Sequence, residues 1–316
     1  VLVPRRSDAT RRKFNYFGVI MLATTVACLQ FILDRGERLE WFNSPTIIAL
    51  ALIGAAALWV FVVNSLTTET PFIDPVIFTD RNYISGIVLR ILFGIMLFGS
   101  LVLIPPFLQN QGGYSLLDSG MIMAPRGFGT MMASLFIGHL VRVVDPRKVI
   151  AVGMTLTAAC MWSFSSFTND MDQTSIIIIN VVQGVAFALF VVPVNTIAFS
   201  TLPAAQRDVG SAFYSLLNNI GRGLGIALLA GYLARQTQIS YSVLSGYVTP
   251  FNDRIRHLGL PDAWDPNVPA GLSALNRMVT KHAELIAYIA DYRLLTAIVL
   301  CCIPVLFLMR NPHRQL

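Results

Sequence analysis

The chain has 316 residues, of which 55% are hydrophobic and 13% are charged. Soluble domains carry about a quarter charged residues, so this composition, with a mean hydropathy of +0.64, excludes an ordinary soluble protein and indicates a polytopic membrane protein. The net charge of +6 is therefore interpreted as a topology signal and not as a nucleic-acid-binding surface.

The residue types that hold metals show no pattern of a site. The four histidines are scattered, and the four cysteines lie inside apolar runs without metal-ligand or disulfide spacing. We therefore expect packing roles for the cysteines, and no cofactor and no metal centre. The cysteines are Cys28, Cys160, Cys301 and Cys302.

Apolar runs long enough to cross a membrane recur along the whole chain. A helix through about 30 Å of hydrocarbon needs about twenty apolar residues. Eight such runs predict eight spans, which places both ends of the chain on one side. The predicted spans are 14–33, 46–66, 83–108, 116–144, 149–167, 174–200, 208–233 and 292–309.

Basic residues fall mainly on one side of this alternation. The segments predicted to be cytoplasmic hold twelve Lys and Arg residues, whereas the three short outer loops hold two. The long outer segment 234–291 holds five, but long loops cross largely regardless of charge. Both ends are therefore predicted to be cytoplasmic. The basic segment 1–13 is interpreted as a cytoplasmic linker, and it also looks like the middle of a longer protein.

Three arginines lie deep inside predicted spans, namely Arg90, Arg126 and Arg222, and no acidic residue does. Charges inside a membrane are costly and usually face a bundle interior or a wet cavity, so each arginine is a candidate for a transport pathway. The alternative is an arginine that extends to the interface or binds backbone carbonyls.

Prolines and glycines interrupt several of the same spans. Pro105 and Pro106 are expected to end the third span, Pro125 precedes Arg126, and Pro193 is expected to interrupt the sixth span. Such residues free carbonyls that line cavities in transporters.

The seventh span combines polar and small residues. Asn218 and Asn219 precede Gly221, Arg222 and Gly225, and the two glycines form a small-xxx-small face for close helix contact. In the fourth span, methionines offer either an adaptable wall for varied substrates or plain core and lipid-facing residues. These methionines are Met121, Met123, Met131 and Met132.

The turn between the fourth and fifth spans has the spacing G-x-L-x-x-x-x-D-x-R-K. We expect Gly138 to let two helices approach closely and Asp145 to meet a helix terminus or an arginine. Arg147 and Lys148 should hold the loop at the anionic, cytoplasmic face. The simpler interpretation is an ordinary positive-inside turn. The spacing resembles the short cytoplasmic loop of the major facilitator superfamily in its second-half form, although Arg142 stands where the fuller motif has Asp.

Other segments resemble the fourteen-helix drug:proton antiporters of this superfamily, of the EmrB/QacA type. The match covers helices seven to fourteen only, so the first-half acidic residues that family members use for proton coupling are absent. The matching segments are L-D-R-G-x-x-x-x-W-F at 33–42, P-F-L-Q at 106–109, G-Y-S at 113–115, M-A-P-R-G at 123–127, 219–225 and K-H-A-E-L-I-A-Y at 281–288.

The resemblance implies an all-α integral membrane fold. Two extra transmembrane helices within 14–82 would precede a six-helix bundle at 83–316, equivalent to one major facilitator half, with a long external loop at 234–291. The outer end of that loop has helical, amphipathic spacing over 272–289.

The resemblance also implies proton-coupled multidrug efflux across a bacterial inner membrane, with no covalent chemistry. Drug-like hydrophobic or amphipathic substrates, protons, lipid and the missing N-terminal half are the implied partners, and this type often works with a periplasmic adaptor and an outer-membrane channel. The residues expected to line the path are Arg126, Asn218, Asn219, Arg222, Arg90 and Gln109.

Two alternatives belong to other classes of protein. An integral-membrane enzyme usually shows His, Asp and Glu clustered at one membrane face, and the sequence shows no such cluster. A membrane scaffold has no need of three buried arginines. The sequence therefore favours a transporter.

Overall fold

Eight long helices make up most of the computed structural model, which describes residues 15–68, 72–167, 172–248, 264 and 268–309. The predicted linker 1–13 lies outside the described residues. The helices are α1 (Tyr16–Arg35), α2 (Pro45–Thr67), α3 (Arg81–Asn110), α4 (Leu116–Val143), α5 (Pro146–Ser165), α6 (Gln173–Ser200), α7 (Arg207–Tyr247) and α8 (Pro269–Cys302).

Each predicted span coincides with one of these helices. Six helices are long and apolar enough to cross a membrane: α1, α2, α3, α5, α6, and α8 with the short turn that follows it. The two others, α4 and α7, have 28 and 41 residues and contain Arg126 and Arg222. A helix is the expected form for such runs, because it satisfies every backbone polar group internally in lipid.

Short polar side chains define where several helices begin. The Asp80 carboxylate accepts hydrogen bonds from the backbone N–H groups of Asn82 and Tyr83 at the start of α3. The Ser115 hydroxyl accepts from the N–H of Asp118 at the start of α4. These caps satisfy donors that the first helical turn leaves without a partner, so they fix the first residue of each helix.

The prolines do not end or divide the helices as the sequence predicted. Pro105 and Pro106 lie inside α3, which continues to Asn110, and Pro193 lies inside an uninterrupted α6. Close packing against neighbouring helices lets membrane helices tolerate a missing backbone donor. The expectation that Pro105 and Pro106 end the third span was therefore wrong.

The segment expected to be a long loop at 234–291 is largely helical. α7 continues to Tyr247, and α8 begins at Pro269. The amphipathic stretch 272–289 is consequently the first half of α8 and not a separate surface helix. The sequence separated them because the polar first half of α8 lacks the hydropathy of its second half.

The last six helices, α3 to α8, form one bundle. α4 packs along α6, α3 along α7, α5 along α6 and α8, and α3 also contacts α6. The hairpin of α1 and α2 contacts this bundle through α1, which lies against α7. A Cβ added to Gly223 of α7 would lie 3.1 Å from the Gln30 side chain, so glycine permits this approach.

Aromatic rings fill the part of the bundle core where α3, α5 and α8 meet. The Phe164 ring stacks on the Tyr292 ring at 5.3 Å between centroids, and the Phe107 ring meets the Tyr288 ring edge-on at 5.2 Å. These rings join α3, α5 and α8, because each helix contributes at least one of them. The rest of the bundle core is aliphatic and aromatic, and polar groups within it are the exception.

Candidate functional site

Glycines bring α4 and α6 into backbone contact. A Cβ added to Gly184 of α6 would collide with the backbone oxygen of Arg126, and one added to Gly129 of α4 would collide with the backbone oxygen of Val181. The Thr130 hydroxyl also donates a hydrogen bond of 3.0 Å to the Gly184 oxygen. The backbone of Arg126 is therefore fixed at the crossing of α4 and α6.

The Arg126 side chain lies inside the bundle, with 7% of its surface exposed. Its Nη2 donates a hydrogen bond of 2.6 Å to the Ser100 hydroxyl of α3, and its Cζ lies 4.8 Å from the centre of the Phe187 ring of α6. Its Nη1 is buried without a hydrogen-bond partner. We call Arg126, Ser100 and Phe187 the Arg126 site.

A cleft of about 690 Å³ opens beside this site. Among the described residues of its wall, Arg126 is the one that carries a charge, and the others are mostly apolar. This combination can hold a hydrophobic molecule and orient it by one polar group. The lining residues are Phe93, Leu97 and Leu101 of α3; Gly120, Met123, Ala124, Arg126, Gly127, Thr130 and Ser134 of α4; and Phe187, Ala188, Val191 and Val192 of α6.

A second arginine lies at the contact between α7 and α3. The Arg222 guanidinium lies 4.1 Å from the centre of the Phe98 ring, and its Nη1 donates a hydrogen bond of 3.0 Å to the Asn219 side-chain oxygen. Arg222 is half-buried. We call Arg222, Asn219 and Phe98 the Arg222 site.

The Arg222 site is also built on close helix contact. A Cβ on Gly94 of α3 would lie 2.8 Å from the backbone nitrogen of Arg222 and from the backbone oxygen of Asn218. The Asn218 side-chain oxygen is buried without a hydrogen-bond partner. Neither Arg222 nor the two asparagines line the cleft. The structure thus separates the predicted path residues into a group at the cleft and a group at the contact between α3 and α7.

Arg90 lies next to the cleft without lining it. Its Cζ is 5.4 Å from the ring centres of both Phe93 and Tyr214, and Phe93 belongs to the cleft wall. Its Nε and Nη1 are buried without hydrogen-bond partners. The aromatic faces offset part of the cost of a partly buried cation.

Near the C-terminal end of α3, Gln109 is half-buried and does not line the cleft. The neighbouring Gln111 is buried, and its Nε2 donates to the Lys281 backbone oxygen at 3.1 Å and to the Glu284 carboxylate at 3.5 Å. Gln111, which the sequence did not single out, therefore adds hydrogen bonds to the ring contacts between α3 and α8.

Of the contacts expected at the loop between α4 and α5, the structure contains the one of Asp145 but lacks the one of Gly138. Asp145 caps α5, accepting a hydrogen bond of 3.1 Å from the Arg147 N–H, so its charge does meet a helix terminus. Gly138, however, is exposed, and a Cβ on it would meet nothing within 4 Å. The expected close approach at Gly138 was wrong, because the helices meet at Gly129 and Gly184 instead. Lys148 is exposed.

The sequence missed one buried acid, Asp291. It is 0% exposed, and neither carboxylate oxygen has a hydrogen-bond partner. The predicted last span began at 292, whereas α8 runs continuously from Pro269, so the expectation that no acid lies inside a span was wrong. The spacing of residues 284, 288 and 292, which lie on one face of a helix, was the sequence signal that the helix begins before Asp291.

The methionines of α4 divide between two environments. Met123 lines the cleft, whereas Met121 and Met131 are 57% and 52% exposed. Within the described ranges, no group of three or more His, Cys, Asp or Glu is placed to hold a metal ion.

The family model described as Major Facilitator Superfamily matches residues 86–248, which include the cleft and both arginine sites. The chain belongs to the Major Facilitator Superfamily. The resemblance inferred from the sequence motifs is thereby confirmed, and the two sites lie in a transporter fold.

Curated relatives share the match over most of the chain. The probable multidrug resistance protein EmrY of Escherichia coli (strain K12) is 29% identical over 90% of this chain and 56% of its own length. The multidrug export protein EmrB of the same strain is 28% identical over 78% and 49%. The fatty acid resistance protein FarB of Neisseria gonorrhoeae is 25% identical over 98% and 62%.

The chain spans about half the length of the curated relatives it matches. Among solved structures, it is similar to a bacterial homologue of the human lysosomal transporter Spinster in an inward-facing, occupied conformation. The TM-score is 0.52 at 16% sequence identity, with 95% of this chain and 65% of that chain covered. At this identity the likeness concerns the fold alone.

Proposed function

We propose that this chain forms the second half of a proton-coupled drug efflux transporter of the EmrB/QacA type. The observation that carries the proposal is the cleft of about 690 Å³ between α3, α4 and α6, with the buried Arg126 in its wall. Its size lies in the range of drug-sized sites, about 300–1,000 Å³. An apolar wall with one charged group suits varied amphipathic molecules better than a single polar metabolite.

The relatives support the same class of function. EmrB is named a multidrug export protein and FarB a fatty acid resistance protein, so one name describes export of drugs and the other resistance to fatty acids. They favour a transporter over the integral-membrane enzyme or scaffold that the sequence left open.

The proposed organisation follows the helices. The hairpin of α1 and α2, within 14–82, adds two helices to the six-helix bundle of 83–316. The missing N-terminal half would cover the open side of the cleft, and substrates would bind between the two halves. A periplasmic adaptor and an outer-membrane channel complete the proposed assembly in a bacterial inner membrane.

The proposed orientation places both ends of this chain in the cytoplasm, as the basic segments predict. The outer ends of α7 and α8 then extend beyond the membrane. A reporter active only outside the cytoplasm should give signal when inserted near residue 250 and none after residue 316. The reverse result would refute the orientation.

The cleft can be tested by filling it. Gly127 lines the cleft, and a Cβ on it would meet nothing within 4 Å, so Gly127→Phe should narrow the cleft without disturbing packing. Gly246 is equally open but lies at the outer end of α7, and Gly246→Phe is the matched control.

In the complete transporter, we expect Gly127→Phe to abolish efflux of a fluorescent amphipathic dye at unchanged folded yield, whereas Gly246→Phe should retain it. Wild-type efflux from Gly127→Phe would show that substrates do not use this cleft.

A further inference from the structure

One face of α8 carries four polar side chains in a line. Glu284, Tyr288, Asp291 and Tyr292 are spaced i, i+4, i+7 and i+8, which places them on the same side of a helix. They extend over about 12 Å of helix axis at 1.5 Å per residue. This face points towards α3 and α5, because the Tyr288 and Tyr292 rings pack on Phe107 and Phe164.

The outer end of the line meets the end of α3. The Gln111 amide donates to the Glu284 carboxylate at 3.5 Å, and the Tyr288 hydroxyl is hydrogen-bonded to the Asn110 side chain. Glu284 is half-buried, whereas Tyr288 is buried. The first step of the line is thus near the bundle surface and the second is inside.

Asp291 occupies the middle of the line. Among the described residues it is the one buried acidic side chain, and neither of its oxygens has a hydrogen-bond partner. A buried carboxyl that only supports the fold normally receives hydrogen bonds, because an unpartnered buried polar group is costly. The absence of such hydrogen bonds at Asp291 is instead typical of a carboxyl group that gains and loses a proton.

The inner end of the line reaches the Arg126 site. The Tyr292 hydroxyl is buried without a hydrogen-bond partner, and both Asp291 and Arg126 lie within its electrostatic reach. Arg126 in turn lines the cleft. The line therefore connects the outer end of α3 with the cleft through Asp291.

The titratable groups around Asp291 come from several helices. Its own helix supplies Tyr288 and Tyr292. Beyond Tyr292, α4 supplies Arg126, and α5 supplies the Cys160 thiol, which lies near Arg126. The α3 amides lie one step further out, beside Glu284 and Tyr288. The described groups that lie on the opposite face of α8 are Arg293 and, from α7, Tyr232, which line a separate cleft.

We propose that Asp291 is a proton-binding residue in this half of the transporter, on a polar route from Glu284 to Arg126 and the cleft. The Asp291 carboxylate takes one proton from the outer side and becomes a neutral carboxyl. Release of that proton towards Tyr292 and the cleft restores the carboxylate. The proposal rests on the proposed function, which supplies the direction of proton entry and the coupling to efflux.

Infrared difference spectra of the purified complete transporter between acidic and alkaline buffer test the protonation directly. We expect a protonated-carboxyl band that is present in the wild type, lost in Asp291→Asn and shifted in Asp291→Glu. Asp172→Asn, at an exposed acid before α6, should leave that band unchanged. If Asp291→Asn fails to fold, the shift in Asp291→Glu decides. A wild-type spectrum from Asp291→Asn, or an unshifted one from Asp291→Glu, would refute the proposal.

Proton flux in liposomes separates this inference from the proposed function. Substrate added to wild-type liposomes should drive a proton flux, and Asp291→Asn should lose that flux while Asp172→Asn retains it. No substrate-driven flux in the wild type would contradict the proposed function, and the infrared band would still test Asp291. A wild-type flux from Asp291→Asn would remove Asp291 from the route.

Discussion

The Arg126 site and the Arg222 site each accommodate an arginine within the helix bundle, but they do so in different ways. Each places an arginine at a glycine-mediated crossing beside α3. Arg126 is buried and keeps one nitrogen without a partner, whereas Arg222 is half-buried and uses a ring face and an amide oxygen. The first cation is held inside the bundle at a cost, and the second is largely satisfied by its own half.

This difference assigns the two arginines different roles. A buried cation that lacks a full set of partners destabilises the fold, so such a residue in a membrane protein usually has a function, such as binding a substrate group or taking part in a proton route. A half-exposed cation over an aromatic ring needs no such purpose. We therefore expect transport to depend strongly on Arg126 and more weakly on Arg222.

The largest expected effect is that of Arg126→Met in the complete transporter. Ser100 retains its own hydrogen bond of 3.0 Å to the Leu97 oxygen, so removing the cation leaves no new orphaned group and relieves the cost of burying it. We expect dye efflux at background level with folded yield no lower than wild type. Arg126→Lys should also lose most efflux, because an ammonium lacks the planar fork that reaches Ser100 and leaves a free donor. Efflux near wild type in Arg126→Met would place Arg126 among structural residues.

The second effect concerns the crossings that hold both sites. Gly184→Ala adds a methyl group against the Arg126 backbone oxygen, and Gly221→Ala adds one against the Ile91 backbone oxygen. Each should cost about 1–3 kcal/mol, because the helices must move apart. Gly246→Ala, at an open position, should raise stability slightly, since alanine favours the helix by about 1 kcal/mol.

Thermal unfolding in detergent measures these three variants under one condition. The opposite signs at Gly184 and Gly246 are the decisive feature. If the methyl groups at Gly184 and Gly221 were as harmless as that at Gly246, the close crossings would not be real.

The sequence predicted the helices well, because lipid imposes a simple rule. About twenty apolar residues mark a span, and all eight runs lie in helices, six of them within three residues of the predicted bounds. The C-terminal part of α7 and the N-terminal part of α8 were missed, since both are polar, and the two helices pack against each other. Asp291 was missed with this polar part of α8, because it lies one residue before the predicted last span.

The site was predictable only in part. An arginine inside an apolar run is easily recognised in the sequence, so Arg126 was identified as a candidate before its contacts were known. The position of each arginine relative to α3 depends on the helix crossings at Gly94, Gly129 and Gly184. The sequence of a single helix does not determine which residues of its neighbour it meets at such a crossing. For the same reason the sequence assigned close packing to Gly138, which is exposed.

The smallest expected effect is that of Arg222→Met. The cation–π contact with Phe98 and the hydrogen bond to Asn219 are each worth about 0.5–1.5 kcal/mol at a partly exposed site. Together they amount to about 1–3 kcal/mol, so their loss should lower efflux by about 5-fold to 140-fold, since 1.4 kcal/mol corresponds to a factor of ten. Arg222→Lys keeps the cation over the ring and should lose less efflux.

Arg235, exposed in the C-terminal part of α7, supplies the control Arg235→Met, which should pump as the wild type does. Efflux rates at matched folded yield rank Arg126→Met below Arg222→Met, and Arg222→Met below Arg235→Met. If Arg222→Met fell to background while Arg126→Met pumped, the two sites would have exchanged roles, and the substrate would be sought on the α7 side of α3.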